Sequence, residues 1–254
     1  MRGAPRRADV LGVEVTPITE DDLRQIIRSA IVSKERCVIG HHNLHSVYLY
    51  HHDEPMRRFY ASASWIYVDG MPLVWAGRAR GHALRSEHRM TGIDILPPFL
   101  SEAERLGWRL FYLGSTAEAL AQGVRVLKAR CPRLTIEAAD GYFDTHGEAN
   151  DERIARINEL RPDVLLVGMG MPRQERWVYD NANRLEATVI WTVGACLDYF
   201  AGVIPTPPRW LGRMGLEWSY RLAAEPHRLW RRYLVEPPYV MHLVARDLVR
   251  RWRG

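Results

Sequence analysis

Cysteine and lysine are scarce in this sequence. Its 254 residues hold three cysteines, Cys37, Cys131 and Cys196, far apart and without C-x-x-C spacing. That excludes a disulfide framework or a cysteine-rich zinc module and fits buried, reduced thiols. Long apolar runs are missing too. The longest stretch without Asp, Glu, Lys or Arg is Cys37–His52, 16 residues that include five histidines, short of the ~20 apolar residues that cross a bilayer. No apolar segment follows the basic start Met1–Arg7 before Asp9, so no secretory signal is read there and a cytoplasmic location is expected. No two aspartates are separated by a single residue, which removes the D-x-D pattern that would hold a divalent cation on a diphosphate. His41 and His45 stand four apart with His51 and His52 nearby, yet no Cys or carboxylate completes a ligand set at zinc spacing. No metal and no cofactor are expected. Internal repeats and low-complexity segments are absent as well.

What remains is the composition of a globular protein, with 47% hydrophobic residues and a net charge of +5. The charge is uneven. Residues 1–204 carry 25 basic and 26 acidic side chains, whereas 205–254 carry 10 arginines and 4 acids. Arginine outnumbers lysine 33 to 2 overall, so its position says more than its abundance. In the C-terminal segment it is interleaved with Trp210, Trp218, Tyr220, Trp230, Tyr233, Tyr239 and Trp252. Forked guanidinium groups among amphipathic rings suit anionic headgroups or a pyrophosphate. Nucleic acid is the competing partner, and a solvated face whose aromatics pack on the body is the plain alternative.

Apolar periodicity divides the chain into alternating strands and helices. Val10–Val15 reads as a strand, and Thr19-Glu20-Asp21-Asp22 opens a helix with Leu23, Ile26, Ile27, Ala30 and Ile31 on one face. Further strands are expected at Cys37–Gly40, Trp65–Val68, Arg109–Leu113, Thr135–Ala138, Val164–Val167 and Thr188–Val193, with Asn43 capping the helix after the first of these and Pro172 opening another. This alternation predicts an α/β fold, a Rossmann-like, mostly parallel sheet with helices on both faces, plus a C-terminal helical appendage. The organisation expected is a flexible basic N-terminus over 1–8, an α/β core over 9–204, and an Arg- and aromatic-rich appendage over 205–254. Pro205, Pro207 and Pro208 mark the change, and Pro226 and Pro237-Pro238 are expected to interrupt the appendage. Its last helix, Tyr239–Arg253, is amphipathic, with Val240, Leu243, Val244, Leu248 and Trp252 on one stripe.

Ligands of parallel α/β sheets sit at the carboxyl ends of the strands. Four polar segments follow strands here: His41-His42-Asn43, Asp69-Gly70, Gly168–Glu175 and Gly194–Asp198. A carboxylate at a strand end, as at Asp69, can take a proton from a substrate hydroxyl, although Asp-Gly is also a common turn pair. Glycines between strand and helix, as at Gly168 and Gly170, expose backbone N–H groups to a phosphate. The dinucleotide fingerprint nevertheless fails, because its third glycine position is Arg173. A nicotinamide-dependent oxidoreductase is the alternative enzyme. A non-catalytic basic module binding nucleic acid is the alternative from another class, but no nucleic-acid motif accompanies the charge.

Three blocks in order carry a resemblance. They are Pro162–Glu175, Val193–Gly202, and Gly215–Leu222 with Glu225-Pro226 and Arg231-Arg232-Tyr233, supported upstream by Val68–Pro72 and Arg89–Asp94. Over Val10–Pro238 the chain resembles the WecG/TagA/CpsF family of bacterial glycosyltransferases. The resemblance implies an inverting transferase that moves a sugar of N-acetylmannosamine type, or another hexose, from a UDP-sugar to a polyprenyl-pyrophosphate-linked sugar, in cell-surface polysaccharide or teichoic acid synthesis. It places the protein peripherally on the inner face of the cell membrane, against an anionic surface, with no nucleic acid. By the same resemblance Asp69 is the general base, Asn43, Arg89 and Gln174 line the pocket, and Asp198 serves the nucleotide side. Arg221, Arg228 and Arg231 approach a pyrophosphate. The family pattern often has Thr two residues before the Asn; here His41 stands there and joins the substrate-binding set. The appendage is expected to dock on the membrane and close the active site, so that deletion of 205–254 abolishes turnover on lipid acceptors while the α/β body stays folded, and a homo-oligomer in solution would shelter the aromatic appendage.

Overall fold

A computed structural model describes residues 6–206, 210–211, 214 and 216–252, and the backbone alone of Glu217, Arg228 and 248–252. The chain opens with β1 (Ala8–Val10) and β2 (Val13–Val15), α1 (Glu20–Ser33), β3 (Cys37–His42), α2 (Leu44–His52), α3 (Glu54–Ser62) and β4 (Trp65–Val68). It continues with α4 (Met71–Ala79), α5 (Gly92–Leu106), β5 (Arg109–Gly114), α6 (Ala117–Arg130), β6 (Thr135–Ala139), α7 (Gly147–Leu160) and β7 (Val164–Gly168). Then come α8 (Arg173–Asn181), β8 (Val189–Thr192), α9 (Cys196–Phe200), α10 (Glu217–Ala224), α11 (Pro226–Trp230) and α12 (Glu236–Trp252).

Six strands form one parallel sheet in the order β4-β3-β8-β7-β5-β6, the α/β architecture expected from the alternation. Side chains of each strand alternate between two cores. Ile39, Leu110, Tyr112, Leu166 and Trp191 face α1, α5, α6 and α9 with Leu23, Ile27, Phe99 and Leu127. Val38, Phe111, Leu113, Leu165 and Ile190 face α3, α7 and α8 with Phe59, Ile157, Trp177 and Val178. Near-continuous apolar strands are thereby buried on both faces.

The first expected strand, Val10–Val15, is instead a hairpin. Leu11 and Gly12 both take positive φ, 58° and 82°, so the chain turns back and Ala8–Val10 pairs antiparallel with Val13–Val15. This hairpin, α2, Val68, α4 and α12 enclose a third core, to which α12 contributes Val240 and Leu243. Val240, Leu243 and Val244 of the apolar stripe are therefore turned onto the body, while the side chains of Leu248 and Trp252 lie outside the described residues. Pro226 does break the helix, after Glu225. Pro237-Pro238 does not: both lie in the opening turn of α12, after a π-helical turn over Arg231–Val235. Proline is tolerated there because it lacks only an N–H, and φ is already set for a helix.

Strand exits decide where a ligand fits. The chain leaving β3 passes through α2 to α3 on one face, and the chain leaving its neighbour β8 enters α9 on the other. A crevice opens between strands whose connections diverge in this way.

Candidate active site

Local sequence sets the first two side chains. Asn43 directly follows β3 and caps α2, its Oδ1 accepting the Ser46 backbone N–H at 3.0 Å. That bond fixes the amide plane and leaves Nδ2 pointing sideways, where it donates to Oδ2 of Asp69 at 3.2 Å. The parallel register makes them neighbours. His41 lies beside Tyr67 and His42 beside Val68, so the next pair out is Asn43 and Asp69. Asp69 is held from behind by its backbone N–H to the His42 carbonyl, 2.8 Å. Gly70 follows at φ 116°, a conformation that costs a residue with a Cβ and lets α4 start at once.

His41 is buried, its Nδ1 3.1 Å from the Thr192 carbonyl. A carbonyl only accepts, so Nδ1 carries the hydrogen and Nε2 faces Asp69 Oδ2 at 3.9 Å. Burial lowers the His41 pKa below its ordinary value, with the Asp69 carboxylate opposing and Arg232 reinforcing the shift. The ring is also stacked on Tyr67 at 5.3 Å.

Across the crevice, Gln174 in α8 is fully buried, accepts the Gly194 N–H on Oε1 at 3.2 Å and donates from Nε2 to Glu175 at 2.7 Å. Glu175 is pushed up to about 7 by burial, against the Gln174 hydrogen bond. The Gln174 amide thus holds the β8 exit loop to α8. Close packing at this end requires glycine. A Cβ on Gly168 would come within 2.2 Å of the Tyr112 hydroxyl and 2.6 Å of the Gly194 carbonyl.

The appendage closes the crevice into two joined compartments. The smaller, about 180 Å³, is lined by His41, Asn43, Asp69, Thr91, Gly170, Gln174, Gly194, Cys196, Tyr199, Arg221 and Arg232. The larger, about 560 Å³, is mainly apolar and includes Leu44, Met71, Leu73, Trp75, Leu216 and Trp218, with Arg89 on its wall. Asn43, Asp69, Arg221 and Arg232 belong to both. Asp69 is the one carboxylate among these lining residues. Arg221 lies over the Tyr199 ring at 5.6 Å, and burial pushes the Tyr199 phenol up to about 12. Among the described residues neither Arg221 nor Arg232 is engaged in an ion pair, and Nε of Arg221 has no hydrogen-bond partner. No three His, Cys, Asp or Glu side chains among the described residues come together as a cation site, and positive charge at the cavity is that of arginine. All three cysteines are buried and unpaired. Cys196 donates to the Val193 carbonyl at 2.7 Å, and burial raises its thiol pKa.

The structure thus brings together His41, Asn43, Asp69, Arg89, Gln174 and Arg221 of the residues marked in the sequence. Arg89 is joined to the edge of β4 by a bridge to Val68 and pairs with Asp94 at 3.3 Å. Asp198 lies in α9 but lines neither compartment; its backbone carbonyl caps the turn by accepting from Val203 and Ile204. Arg231 is exposed, its guanidinium over the Trp230 ring at 5.3 Å, and lines neither. The Arg228 side chain lies outside the described residues. Arg232, which the sequence reading passed over, takes the inward position. A signal existed: Arg221 and Arg232 are three helical turns apart, the spacing of one helix face, but the break at Pro226 made that spacing unreadable.

Comparison with known proteins agrees with this geometry. A protein of Staphylococcus aureus strain NCTC 8325 / PS 47, named N-acetylglucosaminyldiphosphoundecaprenol N-acetyl-beta-D-mannosaminyltransferase, is 28% identical over 255 residues, covering 96% of this chain and 94% of the relative. A protein of the same name from strain MRSA252 shows the same identity and coverage. Residues 8–254 match the profile of the glycosyl transferase WecG/TagA/CpsF family. With nearly the whole chain matched and the motif residues gathered at one crevice, this protein belongs to the WecG/TagA/CpsF family of glycosyltransferases.

Proposed function

We propose that the protein transfers an N-acetylmannosamine-type sugar, with inversion, from a UDP-sugar to a sugar carried on a polyprenyl diphosphate. The observation that carries this reading is the placement of Asp69, the one carboxylate among the described lining residues where a polar and an apolar compartment meet, beside two arginines that make no ion pair among the described residues. The relatives' names supply the sugar and carrier. In the reaction the acceptor oxygen attacks the anomeric carbon of the donor, its proton passes to Asp69, and the UDP diphosphate leaves with the bonding pair. Asn43 aims the Asp69 carboxylate through its hydrogen bond. Arg221 and Arg232 oppose the negative charge that develops on the departing diphosphate, in a site where they need no reorganisation. Gln174 and Gly194 form the floor under the donor.

The same reading places the protein at an anionic membrane surface. Among the described residues no helix is long and apolar enough to cross a membrane. Trp75, Trp210, Met214, Trp218, Trp230, Leu234, Val235 and Met241 are exposed. Three of these, Trp75, Met214 and Trp218, line the larger compartment, a pattern suited to the headgroup level.

The test is UDP release from a panel of UDP-sugars with a short-chain polyprenyl-diphosphate-GlcNAc acceptor, in EDTA, comparing the parent with Asp69→Asn. Acceptor-dependent release confined to one or a few donors, and lost in the variant, is the expected result. Absence of release with every donor refutes the activity; full rate in Asp69→Asn refutes the role of Asp69 alone.

A further inference from the structure

We propose that the larger compartment is a lipid-reading groove, which takes the first isoprene units of the acceptor, so that the enzyme recognises the carrier lipid and not only its sugar and diphosphate. The inference rests on the proposed function above and adds a ligand to that site. Two features of the cavity call for one molecule with an anionic head and an apolar tail. The compartments adjoin, sharing Asn43, Asp69, Arg221 and Arg232 in their linings, so a charged end lies next to an apolar one. The remaining lining of the larger compartment is predominantly apolar, with Leu44, Met71, Leu73 and Trp75 from the body and Leu216 and Trp218 from the appendage.

A sugar has too many hydroxyls to be matched by such walls, since each would be desolvated without a partner. A branched hydrocarbon gains by entering them. Direction follows from charge. With Arg221 and Arg232 facing the departing UDP diphosphate, the diphosphate of the carrier is held at Arg89, which lines the larger compartment alone, and the sugar it bears points to Asp69. The chain then runs outward between Trp75 and Trp218, which are 47% and 42% exposed and stand at the mouth. Half-exposed tryptophans at the exit of an apolar groove give the chain a continuous apolar path to a bilayer.

Binding without activity tests this. Farnesyl diphosphate and methyl diphosphate, both below micelle-forming concentrations and without vesicles or detergent, are titrated calorimetrically against the full chain. Farnesyl diphosphate should bind roughly tenfold more tightly or better, the worth of burying about two methylene groups. Trp75→Ala and Trp218→Ala, at half-exposed positions, should each lose at least about threefold of that preference, with thermal melts confirming a folded chain. Equal binding of the two diphosphates, or a preference that survives both substitutions, overturns the groove. A preference seen only with vesicles present also overturns it and places the chain in the bilayer. None of these results depends on turnover, so a failed UDP-release assay would refute the proposed reaction while leaving the groove to its own test.

Discussion

The Nε2 atom of His41 faces Oδ2 of Asp69 across 3.9 Å, lone pair to lone pair, because Nδ1 gives its hydrogen to the Thr192 carbonyl. The pair lines the smaller compartment, where the ring meets Tyr67 stacked on it, the Thr192 carbonyl, Arg232 from the appendage and Asp69 from the end of β4. Burial pulls the imidazole pKa down, while the Asp69 carboxylate and, after it, the Thr192 carbonyl push it up. In Asp69→Asn the opposing charge is gone, so His41 should titrate at still lower pH than in the parent. Histidine ring NMR through a pH series checks this; an unchanged titration would mean that the two groups do not sense each other. The same variant should lose about 10²–10⁴-fold in transfer rate, the usual worth of a positioned base, while UDP-sugar binding by calorimetry changes little.

Arginines in the appendage should divide sharply. Arg221→Ala and Arg232→Ala each remove a cation from the cavity and should lower kcat/KM by roughly tenfold to a hundredfold, the range for a charged hydrogen bond to phosphate. Arg231→Ala removes an exposed side chain stacked over Trp230 and should stay within about twofold. Steady-state kinetics of the three variants reads the difference, and equal losses at Arg231 and Arg232 would reverse the assignment.

Glu175 gives the fold a dependence on pH. Its carboxyl is fully buried, with Oε2 unpartnered among the described residues and the pKa pushed up to about 7. The folded chain holds this proton more tightly than the unfolded chain, which ionises near 4.5. The contribution is therefore complete below 4.5 and is lost as pH rises towards 7, by about 3 kcal/mol at 1.36 kcal/mol per unit. Glu175→Gln should remove that slope. Denaturant midpoints at pH 5 and pH 8 should differ less in the variant than in the parent, if both fold.

The last helix is tied to the body by several contacts. Glu236 pairs with His45 at 2.7 Å, Asp247 with Arg80 at 3.1 Å, and Tyr239 packs against His52 at 4.5 Å. Leu243 is 3% exposed within the third core. Leu243→Ala should cost about 2–5 kcal/mol, and Asp247→Ala less than about 1 kcal/mol, since its partner lies near the surface. Chemical unfolding distinguishes the two. For the same reason, deletion of 205–254 would uncover the face of the hairpin and α4 that α12 covers, so loss of turnover in that truncation would report on packing as well as on the site.

The periodic and local features were legible in the sequence. Strands such as Val164–Gly168 declare themselves by unbroken apolar runs, and Thr19 and Asn43 by the cap chemistry of the residue itself. Asp69 could be picked out because a carboxylate directly after a buried strand lands at the ligand end of a parallel sheet. What tertiary structure alone decided is which side chains converge. Register sets Asn43 beside Asp69 and His41 within reach of it, though they are far apart in the chain. The break at Pro226 and the π-helical turn decide that Arg232 faces inward and Arg231 outward, a matter of helix phase that composition does not carry. Asp198, plausible by position, is not among the residues that line the two compartments, and Val240 and Leu243 of α12 turn onto the hairpin. Periodicity fixes which residues share a face; only packing against a particular neighbour decides where that face looks.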